Sequence, residues 1–196
     1  MAEGNICTAI FVPGLGDDVE KLEWATRVWW EGFTPIVFNM HWRDRGHFAP
    51  KLKRFLKVVD EAAQRGMVIL VGTSAGGSAV GNVFRLRKDK ISAAVNVCGR
   101  LRRGPHTGYR SFEKMTATSV AFAESVAMFE DHEHELTARD RKKIFTIHPW
   151  WDELVPSETT TVEGATNLAI PSVEHVASIA LAMTVWSGKI QRSAGT

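Results

Sequence analysis

From end to end the chain alternates between two hydrophobic periods. Short apolar, β-branched runs at residues 6–12, 34–39, 67–73, 91–98, 143–148 and 166–171 read as strands, with helix-period segments between them. Leu22, Ala25, Val28 and Trp29 repeat at helical spacing after Asp17 or Asp18, either of which suits an N-cap. Leu52, Phe55, Leu56, Val59 and Ala62 form a stripe that ends at Gly66, an expected C-cap. Ala75 to Arg87 and His175 to Ser187 supply two more helices. Such alternation implies a parallel sheet with helices on both faces, joined by right-handed crossovers. With 196 residues, 44% of them hydrophobic, the chain can bury one sizeable core, and residues 1–196 read as a single domain.

In a parallel sheet all the loops that follow strands gather on one rim, where ligands bind. That rim is expected to carry residues 13–18, 41–50, 73–77, 99–110, 148–157 and 172–175. The longest interval between strands, 99–142, holds Phe112, Met115, Phe122, Val126 and Phe129 at helical spacing, then a charged stretch. It reads either as a crossover helix or helix pair packed on the sheet, or as a small lid over the rim. Periodicity is compatible with both.

The third apolar run ends in Gly72-Thr73-Ser74-Ala75-Gly76, and a helical segment begins at once. A G-x-S-x-G pentapeptide in that strand–turn–helix setting presents a serine on a strained elbow, and the flanking glycines avoid collisions with strand and helix. The hydroxyl then stands beside the N–H groups of a helix N-terminus. A serine hydroxyl is a weak nucleophile unless a neighbouring base takes its proton, and the base needs an acid to fix its tautomer. In this arrangement the chain order is serine, acid, histidine. After the fifth strand comes His148-Pro149-Trp150-Trp151-Asp152-Glu153-Leu154-Val155-Pro156, and after the sixth comes Pro171-Ser172-Val173-Glu174-His175. Ser74, Asp152 and His175 are therefore the candidate nucleophile, acid and base, with Glu153 as the substitute acid. His148 shares the rim but precedes the acid. His41 and His47 sit in an exposed rim loop or line the pocket, and His132 and His134 lie in a charged, solvated segment.

On these residues the chain resembles the α/β-hydrolases, as a small member without a large cap domain. The Gly72–Gly76 elbow, the Asp152-x-x-Val155-Pro156 acid turn and the His175 turn before a last helix carry the resemblance. The loop Val12-Pro13-Gly14-Leu15-Gly16 is similar to the family's oxyanion loop, with Pro13 where a histidine is common. The resemblance implies a three-layer α/β/α sandwich whose mostly parallel sheet has six strands in the order 2-1-3-4-5-6. The family's two earliest antiparallel strands are missing. It also implies an oxyanion hole from the N–H groups of Leu15 and Ala75, and a serine hydrolase that cleaves a carboxylic ester or thioester through an acyl-enzyme. Acyl transfer or perhydrolysis on the same triad, or a hydrolase-like binding protein with an idle triad, are the alternatives. A serine at the elbow argues against the dehalogenase and epoxide-hydrolase branches, which use aspartate there.

Other features narrow the partners. Trp150 and Trp151 stand next to the acid, either walling an acyl or alcohol pocket or packing on the sheet edge. Arg100, Arg102 and Arg103 follow the fourth strand, so they project from the rim either toward an anionic substrate or into solvent. Gly14 and Gly16 lack the third glycine of a dinucleotide fingerprint, since Val19 stands there, and no cofactor is expected. Cys7 and Cys98 lie in strand-like runs and read as buried free thiols; two cysteines alone make no structural zinc site, and no metal is expected. A net charge of +2 demands neither nucleic acid nor an acidic membrane, and the partner that the resemblance implies is a small-molecule ester or thioester. Met-Ala-Glu-Gly-Asn lacks a secretory signal's basic and apolar regions, and Val176–Trp186 is too short to span a bilayer. A soluble, cytoplasmic protein is expected.

Overall fold

The computed structural model describes residues 6–29, 32–184 and 188. Six strands, β1 (Ile6–Val12), β2 (Thr34–Val37), β3 (Gly66–Thr73), β4 (Ala93–Val97), β5 (Ile144–Pro149) and β6 (Thr166–Ile170), form one sheet in the order β2-β1-β3-β4-β5-β6. Every pairing is parallel, so all six C-terminal ends share one rim. In register, Ile10 of β1 lies opposite Ile36 of β2 and Leu70 of β3.

Because side chains alternate across a strand, the two faces build separate cores. Ile10, Val12, Val68 and Leu70 point to one face and pack with α2 (Phe48–Ala63), α3 (Gly76–Arg87) and α5 (Val120–His132). Ala9, Phe11, Ile69 and Val71 point to the other and pack with α1 (Val19–Trp29) and α7 (His175–Thr184). This is the expected three-layer α/β/α sandwich. The central strand β3 is buried from Val68 onward, which is why its sequence is a continuous apolar run and does not alternate.

The interval 99–142 holds a single helical turn at Gly108–Arg110, then α4 (Phe112–Thr116), α5 and α6 (Ala138–Arg141). Helix α5 lies against α2 and α3, and its Phe122, Val126 and Phe129 join the core of that face. Ser119 caps it by accepting the Phe122 N–H.

Two expectations are corrected. Asp17 does not cap α1 with its side chain: the carboxylate accepts the backbone N–H of Trp42 at 3.0 Å, while Asp18 pairs with Lys21. Gly66 does not cap α2, whose C-cap is Gln64; it opens β3 two residues later. The last helix is described only to Thr184, so its expected end at 185–187 lies outside the described residues, as do the side chains of Val28 and Trp29. Among the described residues, no helix is long and apolar enough to cross a membrane.

Candidate active site

The elbow between β3 and α3 holds Ser74 at φ 50°, in the left-handed region that an L-residue enters only at a cost. Ser74 N–H donates to the Val97 carbonyl at 2.9 Å, and its own carbonyl accepts from Gly77 N–H at 3.0 Å. Glycine at 76 is a packing necessity: a Cβ there would lie 2.1 Å from the Val12 carbonyl oxygen. Helix α3 can therefore start flush against β1, which leaves the Ser74 hydroxyl at the rim.

The structure brings Ser74, His175 and Asp152 together across three rim loops. His175 Nε2 lies 2.9 Å from Ser74 Oγ, and Nδ1 lies 2.7 Å from Asp152 Oδ2. Asp152 Oδ1 accepts the N–H groups of Leu154 and Val155, each at 2.8 Å, so the acid is oriented by its own turn. With a carboxylate facing Nδ1, the neutral imidazole carries its proton there, and Nε2 is free to accept the Ser74 hydroxyl proton. Both His175 and Asp152 are buried. Burial opposes ionisation of Asp152, but the His175 hydrogen bond and charge and the two backbone N–H groups outweigh it, and its carboxyl sits below the usual range.

Glu153 has a different place from its neighbour. Its two carboxylate oxygens accept the backbone N–H of His175, at 2.9 and 3.2 Å. Glu174 accepts the N–H groups of Val176 and Ala177. Two acids thus occupy the unpaired amides at the start of α7, where negative charge is favourable.

The loop after β1 presses on the serine. A Cβ at Gly14 would meet Ser74 Cβ at 2.8 Å, so only glycine permits this approach. Of the two expected oxyanion donors, Leu15 follows Gly14 on this loop and Ala75 follows Ser74 at the helical entry to α3. Among the described residues, the backbone hydrogen bonds of this loop and turn are donated by Asp17, Ser74 and Gly77.

What holds the loop is a residue that sequence reading passed over. Trp42, fully buried, donates Nε1–H to the Pro13 carbonyl at 3.0 Å and its backbone N–H to Asp17. Its own carbonyl accepts the Ser119 hydroxyl at 2.6 Å, tying the loop to the start of α5. Burial pushes the Asp17 carboxyl up against the Trp42 hydrogen bond that lowers it. The only sequence signal was a tryptophan on the rim, and its hydrogen-bond partners lie 25 to 77 residues away.

The remaining candidates fall elsewhere. Trp150 and Trp151 are 69% and 47% exposed beside the acid turn. His148 faces the Pro149 carbonyl, and His47 pairs with Glu124 at 2.6 Å in an exposed position. His41 is exposed, while His132 faces the Met128 carbonyl. The expectation that Arg100, Arg102 and Arg103 project from the rim is corrected. Arg100 is fully buried, Arg102 pairs with Glu133, and Arg103 pairs with Glu130 and Asp131. Cys98 is buried and free, and burial pushes its thiol up. Among the described residues, no three His, Cys, Asp or Glu side chains converge as metal ligands would.

No protein-family model matches the chain, and no curated protein matches it by sequence. Solved structures do share its fold. A lipolytic enzyme of the metagenome-derived pair LipS and LipT superposes with a TM-score of 0.69 at 9% identity, covering 96% of this chain and 95% of that one. Est1E from Butyrivibrio proteoclasticus gives 0.69 at 14% identity, with 98% and 90% covered. A hydrolase from Oleispira antarctica gives 0.68 at 15% identity, with 98% and 93% covered. The chain therefore has the α/β-hydrolase fold. At such identities the likeness is one of architecture, and the chemistry has to be argued from the site itself.

Proposed function

We propose that this protein is a serine-dependent hydrolase of carboxylic esters or thioesters, working through an acyl-enzyme. The observation that carries the reading is the chain of contacts from Ser74 Oγ to His175 Nε2 at 2.9 Å and from Nδ1 to Asp152 at 2.7 Å. It begins at a serine whose backbone is held in the left-handed region.

Ser74 Oγ attacks the carbonyl carbon as its proton passes to His175 Nε2. Asp152 retains the Nδ1 proton and stabilises the imidazolium that forms. The carbonyl oxygen becomes an oxyanion between the N–H groups of Leu15 and Ala75, each such donor being worth about 2.7–4 kcal/mol. Collapse breaks the bond to the alcohol or thiol, which takes the proton from Nε2. Water then attacks the acyl-enzyme, His175 removing its proton, and the acid product leaves with Ser74 Oγ reprotonated. The exposed rings of Trp150 and Trp151 offer the apolar wall for an acyl or alcohol group. Acyl transfer to an acceptor other than water would use the same groups.

A fluorophosphonate probe, with turnover of p-nitrophenyl esters and acyl thioesters of graded length, tests the reading. The wild type should be labelled and active, and Ser74→Ala should lose both. A folded wild type that takes no label and turns over no ester would mean a protein that binds and does not hydrolyse.

A further inference from the structure

Arginines that this fold withdraws from full exposure are paired with carboxylates: Arg85 with Glu135, Arg87 with Asp60, Arg102 and Arg141 with Glu133, and Arg103 with Glu130 and Asp131. Two break the pattern among the described residues, and they lie together. Arg100 and Arg110 both belong to the rim loop after β4, and neither forms an ion pair. Arg100 is fully buried; its guanidinium donates to the Arg110 carbonyl at 2.6 Å and the Arg103 carbonyl at 3.4 Å, and its Nε–H has no partner. Arg110 is half-buried, with its Nε–H also buried and unpartnered. Its guanidinium lies 5.8 Å from the centre of the Trp151 ring.

Two cations with no carboxylate in ion-pairing contact, each with a buried donor unfilled, are an expensive arrangement. Arg100 is lowered from the usual guanidinium range by burial and by the charge of Arg110. Glu113 and Glu158 act on Arg100, and Glu158 on Arg110, only at a distance, and the hydrogen bond of Glu158 goes to His106. A planar guanidinium backed by an aromatic ring is a geometry that reads carboxylate or phosphate oxygens in pairs. The start of this loop and the aromatic partner of Arg110 both adjoin triad residues. Trp151 is the chain neighbour of Asp152, and at the start of the same loop a Cβ on Gly99 would lie 2.5 Å from the Ser74 carbonyl oxygen.

We propose that Arg110, clasped through its carbonyl by Arg100 and backed by Trp151, is a specificity-determining residue that holds an anionic group of the substrate. The preferred substrate is then an ester or thioester that carries a second, ionised acid, carboxylate or phosphate. The inference rests on the hydrolase reading for the word substrate, but the anion site itself is measurable without turnover.

Calorimetric titration of glutarate and of propyl phosphate into the wild-type protein reads the site directly and distinguishes the two anions. At least one should bind, more weakly as salt rises, and Arg110→Gln should weaken it by about tenfold or more. Arg110→Lys, which keeps the charge without the fork, should recover part of the loss. The functional counterpart is the ratio of kcat/KM for mono-p-nitrophenyl glutarate to that for p-nitrophenyl pentanoate, whose acyl chains are equally long. It should exceed about ten in the wild type and fall toward one in Arg110→Gln. Absence of binding by both anions, or equal binding by the wild type and a folded Arg110→Gln, overturns the proposal. Arg110-dependent binding by a protein whose Ser74 takes no label and turns over no ester keeps the anion site and removes the hydrolase reading. Ester turnover without anion binding does the reverse.

Discussion

Replacing Asp152 with asparagine separates the charge of the acid from its place in the turn. Asp152 Oδ1 accepts two backbone N–H groups at 2.8 Å, from Leu154 and Val155. An asparagine can satisfy that pair only with its carbonyl oxygen, which turns its NH2 toward His175 Nδ1. The NH2 then donates, Nδ1 must accept, and the neutral ring carries its proton on Nε2, 2.9 Å from Ser74 Oγ. The base is then in the wrong tautomer, and the imidazolium has lost its counter-charge. Such a change lowers kcat by about 10⁴, which at about 1.36 kcal/mol per decade is roughly 5.5 kcal/mol of barrier. The turn keeps both hydrogen bonds, so the variant should fold. Glu153→Gln is the internal control: its amide oxygen still accepts the His175 backbone N–H, and kcat should stay within about tenfold. Ester turnover and the rate of fluorophosphonate labelling read both variants. An Asp152→Asn enzyme within about tenfold of the wild type, or a Glu153→Gln enzyme equally crippled, would refute this assignment of acid and tautomer.

Two further outcomes follow from packing and charge. Trp42→Phe removes the donor to the Pro13 carbonyl at 3.0 Å, which should cost about 1–3 kcal/mol of stability and lower kcat by up to about 10²-fold with little change in KM. A lowered melting temperature with kcat unchanged would mean that the indole only packs and does not position the loop. Asp140 has a carboxyl held down to about 2: burial opposes this, but the Lys88 ammonium and the N–H and hydroxyl of Thr137 prevail. A lowered folded-state pKa adds stability that is complete above the ordinary carboxyl range and lost as pH falls through about 2. Asp140→Asn should therefore be roughly 1–2 kcal/mol less stable to urea near neutral pH, after allowing for solvent screening, and the gap should narrow in acid. A gap of constant size from neutral pH into acid would show that the carboxylate charge is not its source.

Most of the architecture was legible because it depends on local periodicity. The parallel direction of β1 to β6 follows from strand runs too short to be helices, separated by segments long enough to cross over, while their spatial order was implied by the resemblance to the α/β-hydrolases. The elbow was legible for a steric reason: only glycine fits 2.1 Å from the Val12 carbonyl, so the crowding is written in residue types. Helix boundaries were less legible. Asp17 looks like a cap, yet its carboxylate is taken by Trp42, a partner 25 residues on that no local pattern names.

The sequence by itself determined the sheet, its rim and a short list of rim residues able to do acid–base chemistry, since these follow from hydrophobic period and side-chain type. Only the tertiary structure decided among neighbours of equal chemistry. Asp152 reaches the imidazole of His175 while Glu153 reaches its backbone N–H, because successive residues of a turn point in different directions. Arg102 and Arg103 found acids on α5 and just beyond it while Arg100 and Arg110 found none, because pairing depends on which distant helix packs over the loop. Such choices are fixed by long-range packing, whose partners lie too far along the chain for local spacing to specify.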